Sequence, residues 1–466
     1  MGVPKSGNIK THLASILFWS VISAAFIGPG TVTTATKAGA DFQFQLLWAL
    51  TFSTFACVIL QEATARVTIY SGKHLGEAIS KHFEGKSTKG LILFLVFVAI
   101  ILGCAAYETG NILGSIEGLA LIFPEIDKRI FVAIVGILAA LALSLKSMKA
   151  IANFMGSLVF IMGIAFFTTA VYTMPSIPEV LKGAFIPSMP NLPGAGLLVL
   201  GLVGTTVVPY DLFLGSSVIE KEQTIKEMRI GVSVAIILGG IISMAILAVG
   251  TEMTRGLSEN AVRNLPFSYK LLEETLVLHI GQWAVYIFGI GMFAAGFSSA
   301  ITAPLASALT AKSLFYKRKT NTNNEYWKYF RLTAFGVLSV GLFFGFLQIK
   351  PVPAIIMAQA FNGLILPFVS VFLIFVINSK QVMGEKYING HLHNALMGVV
   401  VWVTLIIGIS NIISAFTKIF SYKIQNPDVV LILNVSVSFL ITAYIYFLVY
   451  KKRASDKKSD TNLIAV

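Results

Sequence analysis

Charge is what this sequence has least of. Only 12% of its 466 residues are Asp, Glu, Lys or Arg, 56% are hydrophobic, and the mean hydropathy is +0.81. A soluble domain carries about twice that charged fraction, so a soluble protein is excluded and an all-α polytopic membrane protein is expected. Cysteine is nearly absent. Cys57 and Cys104 both fall inside apolar runs, which excludes a disulfide framework and predicts free core thiols. The histidines His12, His74, His82, His279, His391 and His393 lie near run ends or between runs, and none builds a metal cluster. His391 and His393 read as interfacial. There is no Walker-type G-x-x-x-x-G-K-S/T, and the polar segments are too short for a nucleotide-binding domain, which disfavours ATP-driven transport by this chain alone. No enzyme activity and no cofactor are expected. No cleavable signal-peptide pattern is present, and the first apolar run continues as a full span.

What is there is apolar and long. Windows of about 18 or more mostly apolar residues predict twelve spans, at 13–36, 45–69, 91–121, 130–145, 151–174, 194–219, 230–250, 281–312, 330–349, 352–377, 394–416 and 429–450. The fourth is short, and the third and eighth are long enough to tilt. The net charge of +13 does not call for nucleic acid. It concentrates in alternate loops: Lys73, Lys81, Lys86 and Lys89; Lys146 and Lys149; Lys317, Arg318, Lys319, Lys328 and Arg331. The tail adds Lys451, Lys452, Arg453, Lys457 and Lys458. The opposite loops are mixed in sign. The positive-inside rule then places both termini in the cytoplasm of a multi-pass protein of the cell (plasma) membrane.

Two of these runs are interrupted. Gly28-Pro29-Gly30-Thr31 breaks the first and Val208-Pro209-Tyr210-Asp211 the sixth. Proline removes a backbone donor and clashes with the preceding turn. A break at mid-membrane frees N–H and C=O groups that hydrocarbon cannot satisfy, so it survives only within protein or along a wet cavity. The breaks are five spans apart, an odd number, so the broken segments cross in opposite directions. Two inverted five-span units, each opened by a discontinuous helix, form the pattern of secondary transporters with a midplane site. The chain then divides into a cytoplasmic segment 1–12, a first repeat 13–174, a second repeat 194–377, two added spans in 394–450 and a basic cytoplasmic tail 451–466.

The candidate chemistry lies at the breaks. Gly28, Gly30 and Thr31 precede or open a half-helix whose free N–H groups attract negative charge, while the half-helix before them ends in carbonyls that attract cations. A packing kink is the alternative. The second break offers Thr205, Thr206, Tyr210 and Asp211. An aspartate in an apolar run is costly and marks a functional candidate, unless the span ends early and Asp211 reaches water. In span three, Glu108, Asn111 and Ser115 share one helical face. Glu108 is a candidate proton carrier, or an outer-end glutamate in water. Gln359 and Asn362 share a face of span ten, toward the cavity or in a helix-packing amide pair. Glu62 and Arg66, four apart near the end of span two, read as a structural ion pair.

These motifs resemble the Nramp (natural resistance-associated macrophage protein) family of divalent-metal transporters. Gly28-Pro29-Gly30-Thr31, followed by Ala38-Gly39-Ala40-Asp41-Phe42, is similar to the family's Asp-Pro-Gly-Asn and Ala-Gly-Ala-x-Phe-Gly. Gly204-Thr205-Thr206-Val207-Val208-Pro209-Tyr210-Asp211-Leu212 is similar to its Gly-Ala-Thr-Val-Met-Pro-His-Asn-Leu. Gly291 to Ser299 and Gln359 to Phe368 resemble spans eight and ten. The resemblance runs from about residue 20 to about 375. It implies a LeuT-type fold with a 5+5 inverted repeat, discontinuous helices 1 and 6, proton-coupled import and alternating access. It also marks a departure. The family's metal-ligating aspartate, asparagine and methionine stand here as Gly28, Thr31 and Val208, its histidine as Tyr210 and the following asparagine as Asp211. Of its span-three carboxylates, Glu108 remains and Asn111 is neutral.

Two readings follow. In the first, Asp211, Thr31 and Gln359, with hydroxyls and carbonyls, form an all-oxygen site for a hard divalent cation such as magnesium, since the soft donor that favours transition metals is gone. A magnesium branch related to the family favours it. In the second, a small organic substrate such as an amino acid or carboxylate docks on the N–H groups after Gly28, with Asp211 facing its amine. Substrate contacts are expected from Gly28, Gly30, Thr31, Thr206, Val208, Tyr210, Asp211, Gln359 and Asn362, and a proton pathway from Glu108 and Asn111. The expected partners are a divalent metal ion or small-molecule substrate, protons and the lipid bilayer.

Overall fold

The structure, a computed structural model, describes residues 27–144, 149–173, 175–190, 192–219, 224–257, 261–262, 267–315, 323–419 and 426–464. The described residues form helices and connecting turns. Helix α1 (Pro29–Phe42) begins at the first break and leads through a 3₁₀ turn, Gln43–Leu46, into α2 (Leu47–Ser71). A short helix, α3 (Leu75–His82), precedes α4 (Lys89–Ile122), α5 (Lys128–Ser144) and α6 (Lys149–Tyr172). A second short helix, α7 (Ile177–Phe185), leads to the broken pair α8 (Ala195–Thr206) and α9 (Pro209–Val218). Then come α10 (Ile225–Met253), short α11 (Tyr269–Ile280), α12 (Trp283–Phe315), α13 (Asn323–Phe346) and α14 (Pro351–Ile377). The last are one-turn α15 (Lys380–Met383), α16 (His391–Ile419) and α17 (Pro427–Ile464).

The local chemistry sets these boundaries. Pro29 and Pro209 each sit at the start of a helix, where the missing N–H is already an orphan. Gly72 ends α2 in the left-handed region at φ 65°, with its N–H on Thr68 O at 2.9 Å. Thr224 and Glu227 cap α10 reciprocally: Thr224 Oγ1 accepts from Glu227 N at 3.3 Å, and Glu227 Oε2 accepts from Thr224 N at 3.2 Å.

Among the described residues, nine helical stretches are long and apolar enough to cross a membrane, not twelve. The difference has three sources. The expected first span lies outside the described residues up to residue 26, and its remainder runs into span two as one stretch, Pro29–Ser71. Helix α5 is described over 17 residues, up to Ser144, at the lower limit of a span. Span five is described as an apolar helix only over Gly156–Tyr172. Helix α17 continues to Ile464, with no Gly or Pro after its first residue to stop it. Helices α3, α7, α11 and α15 are too short to register as apolar runs.

Burial orders the bundle. The stretch Ala195–Ser217 has 94% of its most apolar window buried and forms the centre, whereas Asp428–Ala454 has 22% and lies at the periphery. Helix α8 packs against α14, α2 and α1. Helix α1 is backed by α10, and α9 by α2 and α12. Helix α4 packs on α12 and α14, and α12 on α6. Glycine permits the closest approaches: a Cβ on Gly204 would lie 2.0 Å from Gln359 O, and one on Gly250 would lie 2.1 Å from Thr36 O. The cysteines Cys57 and Cys104 are free and buried, as expected.

Candidate functional site

The site is built where the two breaks meet. Gly28, extended at φ −101° and ψ −175°, accepts the first helical bond from Val32 N at 3.1 Å. Pro29 offers no N–H, and helix geometry leaves the amide of Gly30 without an intrahelical partner. Helix α8 ends opposite, at Thr206, with Val207 N on Val203 O at 2.9 Å. Val208 is extended, and Asp211 N returns to Val208 O at 3.0 Å to open α9. A direct bond joins the breaks: Thr31 Oγ1 and Thr205 Oγ1 are 2.8 Å apart across 174 residues of sequence.

Span ten closes a third side. A Cβ on Gly30 would meet Gln359 Nε2 at 2.1 Å, so the amide of Gln359 lies directly on the first break. Gln359 Oε1 is buried and has no hydrogen-bond partner in the protein. Asp211 is 4% exposed, which removes the reading in which it reaches water, and its Oδ1 is likewise unpartnered. Buried polar groups are normally satisfied. One such oxygen lies beside each break, Gln359 Oε1 at the first and Asp211 Oδ1 at the second, and both point to a ligand. Tyr210 is buried with its ring 5.3 Å from that of Tyr107, edge to face, and the Tyr107 hydroxyl is a third unpartnered group.

The remaining candidates divide. Thr206 is buried but its Oγ1 donates back to Leu202 O at 3.0 Å. Val208 contributes the extended backbone that lets α9 start, and its side chain is apolar. Asn362 is set apart from Gln359: it lies at Gly103 of α4, whose Cβ would be 2.9 Å from Asn362 Oδ1. Both of its amide atoms lack partners. Glu108 is 0% exposed, so it is not an outer-end glutamate. Asn111 Nδ2 donates to its Oε2 at 3.4 Å. Its stem packs on α13, with Gly341's would-be Cβ 2.7 Å from Glu108 Cγ. Tyr107, not Glu108, is the span-three residue that the structure brings to the second break.

Four participants lie outside the contact set expected from the sequence. Thr205 is a polar residue of the second break, and the structure adds it to that set. Tyr107 carries a signal, a polar aromatic one residue before Glu108. Thr33 and Tyr269 carry none: Thr33 Oγ1 donates to Pro29 O at 2.6 Å and lies 2.7 Å from the Tyr269 hydroxyl of α11, 236 residues away. Tyr269 thus ties a short connecting helix to the first turn after the break. All these groups are buried. Among the described residues no group of three or more His, Cys, Asp or Glu could hold a metal ion. The donors at hand are one carboxylate, an amide oxygen, hydroxyls and helix-end carbonyls, a hard, all-oxygen set.

A family model described as natural resistance-associated macrophage protein-like matches residues 20–414. The chain is 24% identical over 380 residues to the divalent metal cation transporter MntH of Klebsiella pneumoniae (strain 342), covering 78% of this chain and 86% of that one. It is 26% identical over 436 residues to the metal transporter Nramp1 of Populus trichocarpa, covering 90% and 78%. Among solved structures it resembles the manganese transporter of Eremococcus coleocola, with TM-score 0.68, 20% identity and 98% of each chain covered. It also resembles MhsT in complex with L-phenylalanine, with TM-score 0.56, 15% identity, and 86% of this chain and 98% of that one covered.

Proposed function

Because the chain belongs to the Nramp family, we propose that it is a secondary active transporter of a divalent metal cation, a hard ion such as magnesium in preference to a transition metal. The observation that carries this reading is the junction itself. The 2.8 Å bond between Thr31 and Thr205 joins the two breaks, and a buried oxygen without a protein partner lies beside each, Gln359 Oε1 at the first and Asp211 Oδ1 at the second. Asp211, Thr31 and Gln359 hold the ion, Gly28, Gly30, Thr206, Val208 and Tyr210 complete the walls, and Asn362 lies to one side of them, at Gly103 of α4. A single carboxylate leaves net positive charge on a bound divalent ion, which suits an ion that retains part of its hydration. With Gly28, Thr31 and Val208 at the ligand positions of the family, no thioether or imidazole selects a softer metal.

The architecture is a LeuT-type 5+5 inverted repeat, 13–174 and 194–377, with 394–450 outside it. The packing supports the repeat. Exchanging each span for the one five places on turns α4 on α14 into α12 on α6, and α1 on α10 into α9 on α2. Alternating access then opens the junction to one side at a time. The protein lies in the cell membrane with the segment 1–12 and the residues from 451 on in the cytoplasm. Protons move with the metal through Glu108 and Asn111.

A thermal-shift measurement on the purified protein tests the assignment. Magnesium is expected to raise the melting temperature of the wild type and to have no effect on Asp211→Ala. The second reading is a transporter of a small amino acid or carboxylate. It draws support from α1, whose first turn carries no acidic residue to oppose an anion on its N–H groups. Stabilisation by such metabolites, absent with divalent metals, would replace the first reading with the second.

A further inference from the structure

The pair Glu62–Arg66 is part of a larger charged cluster outside the candidate site residues. Glu62 Oε1 is 3.2 Å from Arg66 Nε, 2.9 Å from Arg229 Nη2, and accepts from Arg229 Nε at 2.9 Å. Two guanidinium groups therefore share one carboxylate oxygen. Arg66 is 6% exposed, and although Glu62 is near, its Nε makes no hydrogen bond. Its Nη2 donates to Asn389 Oδ1 at 2.5 Å. The cluster carries one net positive charge, with Arg66 buried and the Arg229 side chain 45% exposed at its open side.

These groups face a cavity of about 190 Å³ between α2, α10 and α16, with Ser233 and His393 adding donors to its polar end. That is room for roughly six waters, enough for a phosphodiester. The rest of the lining is aliphatic, with Ile59, Leu396 and Met397 among it. The cavity lies near the last turns of α2 and the first turns of α10 and α16, hence at one end of the bundle and at the level of one bilayer interface. Polar cations at an interface above an aliphatic wall match an anionic headgroup above its acyl chain.

We propose that this cavity is a binding site for one anionic phospholipid, with Arg66, Arg229, Ser233 and His393 on the phosphate and an acyl chain along Ile59 and Leu396. Its position suggests a use. Helix α2 backs α9 and α10 backs α1, so the headgroup touches both helices that support the half-helices of the site. The lipid thereby biases how those two supports move relative to one another.

The test is lipid binding by native mass spectrometry and melting temperature on the intact purified protein. The probes are phosphatidylglycerol, phosphatidylcholine and inorganic phosphate, each added separately. Phosphatidylglycerol is expected to stay bound and raise the melting temperature. Arg229→Gln should weaken that binding about tenfold, the loss of one charge-assisted hydrogen bond. Leu396→Trp keeps every charge and fills the cavity, and should remove the lipid while the lipid-free protein melts as before. Equal retention of phosphatidylcholine would overturn the proposal. So would a shift from inorganic phosphate as large as that from the lipid, which would mark a soluble-anion site, or lipid binding unchanged in both variants.

Discussion

At the scale of single residues, the site depends on oxygen atoms that the fold leaves unpaired. Asp211 brings the one formal charge among the described residues at the breaks, so Asp211→Asn is expected to abolish metal-dependent uptake while changing stability little, because no protein donor is lost at Oδ1. Uptake by that variant at the wild-type rate would remove the residue from the site. A different residue sets the response to acid. His82, at the end of α3, is buried with its ring 4.7 Å from that of Phe83 and 6.0 Å from that of Phe375. Burial, with Lys452 and Lys86 adding to it, holds the imidazole down at about 3 instead of 6.5. The unfolded chain takes up a proton below about 6.5 that the folded chain refuses, so this contribution is complete above that pH and is lost as pH falls toward 3. His82→Gln should flatten the fall in melting temperature between neutral pH and about pH 4; an unchanged slope would place the acid response elsewhere. Asp211 and Gln359 are legible in the sequence because they are polar letters in apolar runs. The burial of His82 is not, since its helix is only eight residues long.

At the scale of elements, the two breaks do different work. Both start a half-helix at a proline, and both are legible because Pro and Gly stop a helix that the surrounding apolar run would otherwise continue. The partner of each break is not legible, because it depends on contacts between segments hundreds of residues apart. Gly30 and Gly204 separate the roles. Alanine at Gly30 meets only the movable end of Gln359. It should displace that amide and lower uptake with the melting temperature nearly unchanged. Alanine at Gly204 meets the backbone of Gln359 and Gly363. It should force α8 from α14 at a cost of about 1–3 kcal/mol, seen as a lower denaturation midpoint. The reverse order of effects would mean that Gln359 is packing and not part of the site. The short helices α3, α7 and α11 escape a reading based on apolar length, and α11 holds Tyr269, which anchors the first break through Thr33.

At the scale of the whole molecule, the chain keeps a transporter's frame while changing the residues at its centre. Among the described residues nine spans meet the length and hydropathy expected of a crossing, and the broken sixth segment, the most deeply buried of them, is the axis around which the others pack. The breaks stand in the first and sixth spans, and that odd offset of five is enough to suggest inversion from the sequence alone. Coupling is a property of the whole cycle. If Glu108 carries the proton, uptake by the wild type acidifies the vesicle interior and Glu108→Gln transports without doing so. A pH-sensitive dye inside proteoliposomes reads this, and metal entry with no acidification in the wild type would end the proton pathway. The central claim is that a transporter architecture has been fitted with a hard-oxygen site whose charge sits on Asp211. Its most direct test is magnesium influx into proteoliposomes, followed with an internal magnesium indicator against an equal concentration of external manganese. Saturable influx that manganese does not displace and that Asp211→Asn abolishes is expected. Influx no greater than into protein-free liposomes, or influx displaced by manganese, would contradict it.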